Sequence, residues 1–279
     1  MRGSAVNDLI SVVVSTYERP DALAAVLRGL SRQSDRQFEV VVADDGSGAA
    51  TRETVGQWTA KLGLPLAHVR HEHRGFRAAE IRNRAIAQSR GAYCVFLDGD
   101  CIPRADFIAR HRRLAEPGWF VAGNRILLSQ DLTEEVLAQG LEPERWTIAA
   151  LFGRGGINRL APALHLPLGI FRKIAPARWE GARTCNLAVA RCDLDRVDGF
   201  DASFNGWGLE DSDLAIRLIH AGVRRKDGRF ATGVFHLWHQ PYDRAQLGEN
   251  QQRLDEVRRG DRVRALRGLS TLATASAHV

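Results

Sequence analysis

Hydrophobic positions along the chain follow two rhythms. Near-continuous apolar runs occupy Leu9-Ile10-Ser11-Val12-Val13-Val14, residues 38–43, residues 67–70 and residues 92–97. Runs of β-branched and aromatic residues this short read as buried strands. Between them the spacing changes to three and four. Leu23, Val26, Leu27 and Leu30 share one face of a helix for which Asp21 is the candidate N-cap, and further helical stretches span about 50–62 and 78–89. Strands alternating with helices predict a parallel sheet with right-handed crossovers and its loops gathered at one edge.

After residue 97 the pattern predicts a helix over 105–115, a strand over 119–127, a strand over 184–190 and a helix over 211–221 closed by Gly222. A last strand at 230–238 and a charged helix at 244–266 follow, and the Ala/Ser-rich tail after Leu269 is expected to fray. Residues 150–180 differ in character. Arg154, Arg159, Arg172, Lys173 and Arg178 alternate with Leu, Ile, Phe and Pro, and Glu180 is the one acid. This reads as an excursion from the core, either a packed amphipathic insertion or a segment lying on an anionic membrane surface.

Composition narrows the class. The 279 residues, 44% hydrophobic and 26% charged, are those of a soluble globular protein with a substantial core. A net charge of +6 and a pI near 9.6 favour anionic partners. No apolar run approaches the roughly 20 residues that span a bilayer, and Met1-Arg2-Gly3-Ser4 does not begin a signal peptide. The four cysteines form no CxxC pair, so they read as reduced thiols of a cytoplasmic protein, with Cys94 and Cys185 as packing residues.

The chemistry collects at three strand ends: Thr16-Tyr17-Glu18-Arg19, Asp44-Asp45 and Asp98-Gly99-Asp100. Ligands of open α/β sheets bind at such ends. Two carboxylates flanking Gly99 repel one another unless a positive charge joins them, and a divalent metal carrying a diphosphate supplies it. An acidic Asp-Gly turn is the plain alternative. No GxGxxG and no Walker lysine follows the first strand, which argues against NAD binding and against a P-loop ATPase. Asp44 and Asp45 can accept hydrogen bonds from a base or ribose, or merely cap the next helix. Arg82 and Asn83 can reach the phosphates of such a ligand, position Asp98, or sit on a charged helix face; His71 and His73 read as loop residues.

Residues 12–20, 41–47, Ile81-Arg82-Asn83-Arg84-Ala85 and Phe96-Leu97-Asp98-Gly99-Asp100 resemble, in order and spacing, the motifs of family 2 glycosyltransferases with the GT-A fold. Gly199-Phe200-Asp201 and the stretch from Gly206 through Trp207, Gly208, Glu210 and Asp211 to Asp213 resemble the acceptor motif of β1,4-galactosyltransferases and chondroitin-type polymerases. The resemblance covers most of residues 9–255. It implies an α/β GT-A nucleotide-sugar-binding fold, a mostly parallel mixed sheet flanked by helices, in a single domain (1–255) with a C-terminal helical extension (244–279). Residues 1–127 would form the nucleotide-sugar half, 181–243 the acceptor half, and 150–180 the insertion between them.

The implied reaction is inverting transfer of a sugar from a nucleotide donor, UDP-linked in most of the family, to a hydroxyl, with Mn²⁺ or Mg²⁺. Asp100 would be the first metal ligand and Asp98 a donor-positioning residue. Asp211 would be the base, Glu210 would hold the acceptor, and Trp207 beside Gly208 would form its platform. The helix N-terminus is expected to keep Asp211 ionised. An N-cap beside a core tryptophan is the structural alternative. His236 and His239 can join Asp100 around a cation, and the resemblance favours His239, because the animal enzymes carry methionine where His236 stands. Asn186 is a further acceptor contact. The expected acceptor is a bacterial surface glycan or glycolipid, a lipopolysaccharide core or capsule, reached from the cytoplasm with peripheral contact at the inner face of the membrane and no nucleic acid partner. A GT-A-like nucleotidyltransferase is disfavoured by the lack of a Gly- and basic-rich loop after the first strand. A nucleic-acid-binding protein is disfavoured by dispersed arginines and the lack of a recognised motif.

Overall fold

The alternating apolar runs become four parallel strands: Ile10–Thr16 (β1), Phe38–Asp44 (β2), Leu66–Arg70 (β3) and Tyr93–Asp98 (β4). This computed structural model describes residues 9–276. Helices Pro20–Ser31 (α1), Ala49–Lys61 (α2) and Ala78–Gln88 (α3) connect the strands. Continuous apolar runs are needed because both sheet faces are covered. Val12, Val14, Val40 and Val42 pack with Leu23 and Leu27 on one side, whereas Val13 and Val41 pack with Ile81 and Ile86 on the other.

Beyond β4 the chain runs through Cys101–Pro103 (β5), Phe107–Leu114 (α4), Trp119–Ala122 (β6), Arg125–Leu127 (β7), Gln130–Ala138 (α5) and Ile148–Phe152 (α6). It continues with Asn186–Ala190 (β8), Arg191–Val197 (α7), Glu210–His220 (α8), Arg224–Asp227 (β9), Val234–His236 (β10), Leu247–Arg259 (α9) and Leu269–Ser276 (α10). The large sheet has the order β3-β2-β1-β4-β8-β6-β9, with β8 antiparallel to both neighbours and the other pairings parallel. A small sheet, β5-β10-β7, lies apart from it.

Several expectations are corrected. Asp21 does not cap α1; Pro20 opens the helix, Arg19 is its N-cap without a side-chain bond, and Asp21 lies in the first turn, where its charge suits the dipole. The strand expected over 119–127 is two strands in different sheets, and those expected over 230–238 and 244–266 shrink to β10 and α9. The described part of the tail, Leu269–Ser276, is helical, held by Ser270, whose N–H and hydroxyl both donate to Asp198. Within 150–180, Leu151 and Ala163 reach the core, but Phe152, Ile170, Phe171 and Ile174 stay 66–81% exposed. Cys94 and Cys185 are buried, as expected of packing residues.

Candidate active site

The small sheet builds the acidic end of the site. β4 stops at Asp98, and the Gly99 N–H donates to the Ser15 carbonyl at 2.7 Å. A Cβ on Gly99 would stand 2.9 Å from that oxygen and 3.0 Å from the Thr16 Cβ, so only glycine fits this close approach. β5 then pairs antiparallel with β10, setting His236 opposite Cys101, while the Leu237 N–H donates to the Asp100 carbonyl at 2.9 Å. This register delivers His236 Nε2 to 3.8 Å and His239 Nε2 to 3.6 Å from the Asp100 carboxylate. One donor atom from each of the three lies within 4.8 Å of the others. Those separations are too long for hydrogen bonds and leave room for an ion among them.

The chemistry of this donor set fits a divalent cation. Burial pushes His236 down to about 4, so its imidazole is neutral and carries a free lone pair. His239 Nδ1 lies 2.7 Å from the Gln240 carbonyl; when it donates there, Nε2 is left as the lone pair facing Asp100. Burial raises the carboxyls of Asp98 and Asp100, with the Asp100 charge adding to the rise at Asp98. A cation would offset that cost directly.

Arg82 joins the two halves of the site. Its guanidinium, 4% exposed, donates to Glu210 at 2.8 Å, to Asp98 at 3.3 Å and, through Nε, to Ser15 Oγ at 2.9 Å. Three rigidly spaced donors thus tie β1, the end of β4 and the start of α8 together. Of the roles weighed from the sequence, the geometry matches positioning of Asp98, and adds Glu210.

The loop before α8 turns through left-handed backbone at Gly206, Gly208 and Leu209. A Cβ at Gly206 would also strike the Gln246 side chain at 2.7 Å. Trp207 faces the cleft, and the Arg244 guanidinium lies 5.1 Å from its ring centre. Asp211 follows, in the first turn of α8. Burial, then the negative charge of Glu210, push its carboxyl up to about 6, against Arg183 and Arg82. The expectation that the helix N-terminus dominates is therefore reversed: enclosure outweighs the dipole and makes this carboxylate a stronger base.

Most sequence-predicted residues meet in one cleft of about 620 Å³, a size ordinary for small-ligand sites. Thr16, Tyr17, Arg19, Asp45, Arg82, Asp98 and Gly99 line one part of it. Asp100, His236 and His239 form one end, and Trp207, Gly208, Glu210 and Asp211 complete the lining. Four residues lie elsewhere. Glu18 accepts from the Gly48 N–H and caps α2; Asp44 is buried against His68 and the Ser47 N–H. Asn83 clamps both backbone groups of Phe200. Asn186 is buried among His111 and the carbonyls of Asn124 and Thr232. The reading of His71 and His73 as ordinary loop residues is corrected: His71 bonds Asp45 from a buried position, and the His73 ring stacks on Tyr17 at 4.5 Å. Sequence reasoning overlooked Tyr242, a cleft residue 4.9 Å from the His239 ring centre. His71 and His73 flank Glu72 on the strand-to-helix loop after β3, and a loop at a strand end was the available signal.

Comparison with known proteins gives the family and the fold. The family model "Glycosyl transferase family 2" matches residues 11–172, and "N-terminal domain of galactosyltransferase" matches residues 171–240. Validoxylamine A glucosyltransferase of Streptomyces hygroscopicus subsp. jinggangensis is 30% identical over 244 residues, covering 81% of this chain and 55% of that protein. Chondroitin synthase of Pasteurella multocida is 26% identical over 227 residues, covering 76% and 23% respectively. The chain thus spans about half the length of the first relative and less of the second. Among solved structures, mannosyltransferase PcManGT from Pyrobaculum calidifontis, in complex with GDP-Man and Mn²⁺, superposes with a TM-score of 0.58 at 21% identity, over 84% of this chain and 58% of that one. GalNAc-T7 with UDP, GalNAc and Mn²⁺ gives 0.61 at 16% identity, over 90% and 50%. At these identities the likeness is one of fold.

Proposed function

The chain belongs to glycosyltransferase family 2, and we propose that it is an inverting enzyme that moves a sugar from a nucleoside diphosphate, UDP first among them, to a glycan hydroxyl. The observation that carries this reading is the single cleft in which the Asp100–His236–His239 triad and Asp211 both stand, with Arg82 bridging their neighbours Asp98 and Glu210. Asp211 accepts the proton of the attacking hydroxyl, its raised pKa matching that task near neutral pH. The acceptor oxygen enters from the Asp211 side while the diphosphate departs from the other, so the anomeric centre inverts. Trp207 offers a flat apolar face to the acceptor ring, and Glu210, held by Arg82, presents a fixed acceptor for a sugar hydroxyl. Asp45 and the Tyr17–His73 stack shape the nucleoside end.

Asp100, His236 and His239 would hold the cation, and two imidazoles with one carboxylate suit Mn²⁺ better than Mg²⁺, which prefers oxygen alone. When bound, such an ion supplies Lewis-acid neutralisation of the leaving diphosphate. Relatives that are named polysaccharide synthases support a glycan acceptor such as a bacterial surface chain. The exposed Phe152, Ile170, Phe171 and Ile174, in a segment with one acid in a chain of net charge +6, support peripheral contact with an anionic bilayer such as the inner face of the cytoplasmic membrane. No helix among the described residues is long and apolar enough to cross a membrane.

The reaction class is tested by incubating the chain with UDP-sugars and Mn²⁺. The matching donor raises the melting temperature as RT ln(1 + [L]/Kd) and is slowly hydrolysed. Chelation with EDTA and the substitution His239→Ala should each reduce hydrolysis at least 100-fold. A chain that hydrolyses no UDP-, GDP- or dTDP-sugar in Mn²⁺ does not carry out this reaction.

A further inference from the structure

A second cavity, of about 570 Å³, abuts the cleft, and Arg125, Arg183 and Cys185 line both. Arg159, Arg178, Arg225 and Arg229 complete its basic wall, so six arginines line one concavity whose lining holds a single acidic residue, Glu180. Ion pairing does not explain them. Arg229 pairs with Asp227, but Arg125, Arg159, Arg178 and Arg183 make no ion pair among the described residues. Elsewhere in the molecule arginines are commonly matched, as at Arg82, Arg112 and Arg217.

Arg225 makes the point most sharply. It is 8% exposed, its Nη1 donates to the carbonyls of Arg178 and Glu180, and its buried Nε has no partner among the described residues. Burial first, then the charges of Arg178 and Arg229, lower its pKa against the pull of Asp227. A buried cation with an unpartnered Nε, beside the cations of Arg178 and Arg229 and with Asp227 already paired to Arg229, is a costly arrangement without a further anion to occupy it. The seam between the two cavities also lies next to the chemistry. Arg183 is among the charges acting on Asp211, and Arg125 among those acting on Asp100 and His236.

Taking the glycosyltransferase reading as its basis, we propose that this arginine cavity binds an anionic substituent of the acceptor glycan, a phosphate or a carboxylate close to the reacting hydroxyl. Guanidinium forks match both groups bidentately, and a neutral glycan would leave them unmatched. The cavity therefore selects acidic acceptors and orients their hydroxyl toward Asp211.

The test uses glucose, glucuronic acid and glucose 6-phosphate as probes, titrated into the full chain saturated with UDP and Mn²⁺ so that the diphosphate subsite is filled. At least one acidic sugar should bind tenfold or more tightly than glucose, more weakly as salt rises. The tighter of the two identifies carboxylate or phosphate as the source. The double substitution Arg159→Ala/Arg178→Ala, at two exposed side chains that line only this cavity, should abolish the preference with an unchanged circular dichroism spectrum. Equal binding of glucose, or an anion preference that survives the double substitution, overturns the proposal. Donor hydrolysis by the unsubstituted chain reports on the transfer reading separately: hydrolysis without anion preference sinks the cavity's role alone, and no hydrolysis sinks the reading beneath it.

Discussion

At Asp211 the carboxyl is enclosed by protein beside the charge of Glu210, and its pKa rises to about 6 from an ordinary 3.8. Two consequences follow with opposite signs for activity and stability. As the proposed base, Asp211 works only when ionised, so kcat/KM should fall as pH drops through about 6. The same rise means the folded chain keeps a proton that the unfolded chain releases; that stabilising contribution is complete below the unfolded value and lost as pH rises through about 6. Asp211→Asn should therefore lose 100-fold or more in transfer while gaining about 1–2 kcal/mol of stability at pH 8, allowing for screening by solvent in the cleft. Urea melts at pH 5 and pH 8 check it: the variant's advantage must shrink at the lower pH. The identity of Asp211 as an acidic residue in a Gly-Trp-Gly motif was legible in the sequence. Its proton affinity was not, because that depends on what encloses it. Arg82 teaches the same lesson, since its partner Glu210 lies 128 residues away.

The short strands β5 and β10 decide where the triad forms, and three residues are too few to show an alternating pattern. β9, Arg224-Arg225-Lys226-Asp227, shows no apolar pattern at all, although Arg225 and Lys226 are buried in hydrogen bonds to backbone and to Glu116. α5 was readable and missed: Ser129 accepts from the Leu132 N–H as an N-cap, with Asp131 in the first turn. The turn between β4 and β5 offers a direct probe. Gly99→Ala pushes a methyl to 2.9 Å from the Ser15 carbonyl, so the strand ends must part. A cost of about 1–3 kcal/mol in stability is expected, together with a tenfold or greater weakening of Mn²⁺ binding by calorimetry, because Asp100 shifts away from His236 and His239. Unchanged Mn²⁺ affinity in this variant would separate the turn from the metal site.

For the whole molecule, the proposed membrane contact would use the basic charge and the exposed apolar residues of the 150–180 segment together. Vesicles containing anionic lipid should co-sediment with the chain at low salt, and those of neutral lipid should not. Phe171→Ser/Ile174→Ser should reduce binding at least tenfold, since each side chain contributes about 1.5–3 kcal/mol at full insertion and less when partly inserted. Retention of full binding would leave charge alone as the cause. At this scale the sequence was most legible in its first half, where buried parallel strands such as Phe38–Asp44 must be apolar along their whole length and end at polar loops. That requirement determined the α/β architecture and gathered polar residues at the strand ends, and the order of motifs determined the family. The tertiary structure decided the rest: that His236 and His239 both face Asp100, that Asn83 and Asn186 serve the core, and that six arginines share one cavity. The reason is physical. Local sequence sets the period and polarity of an element, whereas ligand geometry, proton affinity and charge pairing depend on distances between side chains far apart in the chain, which only packing establishes.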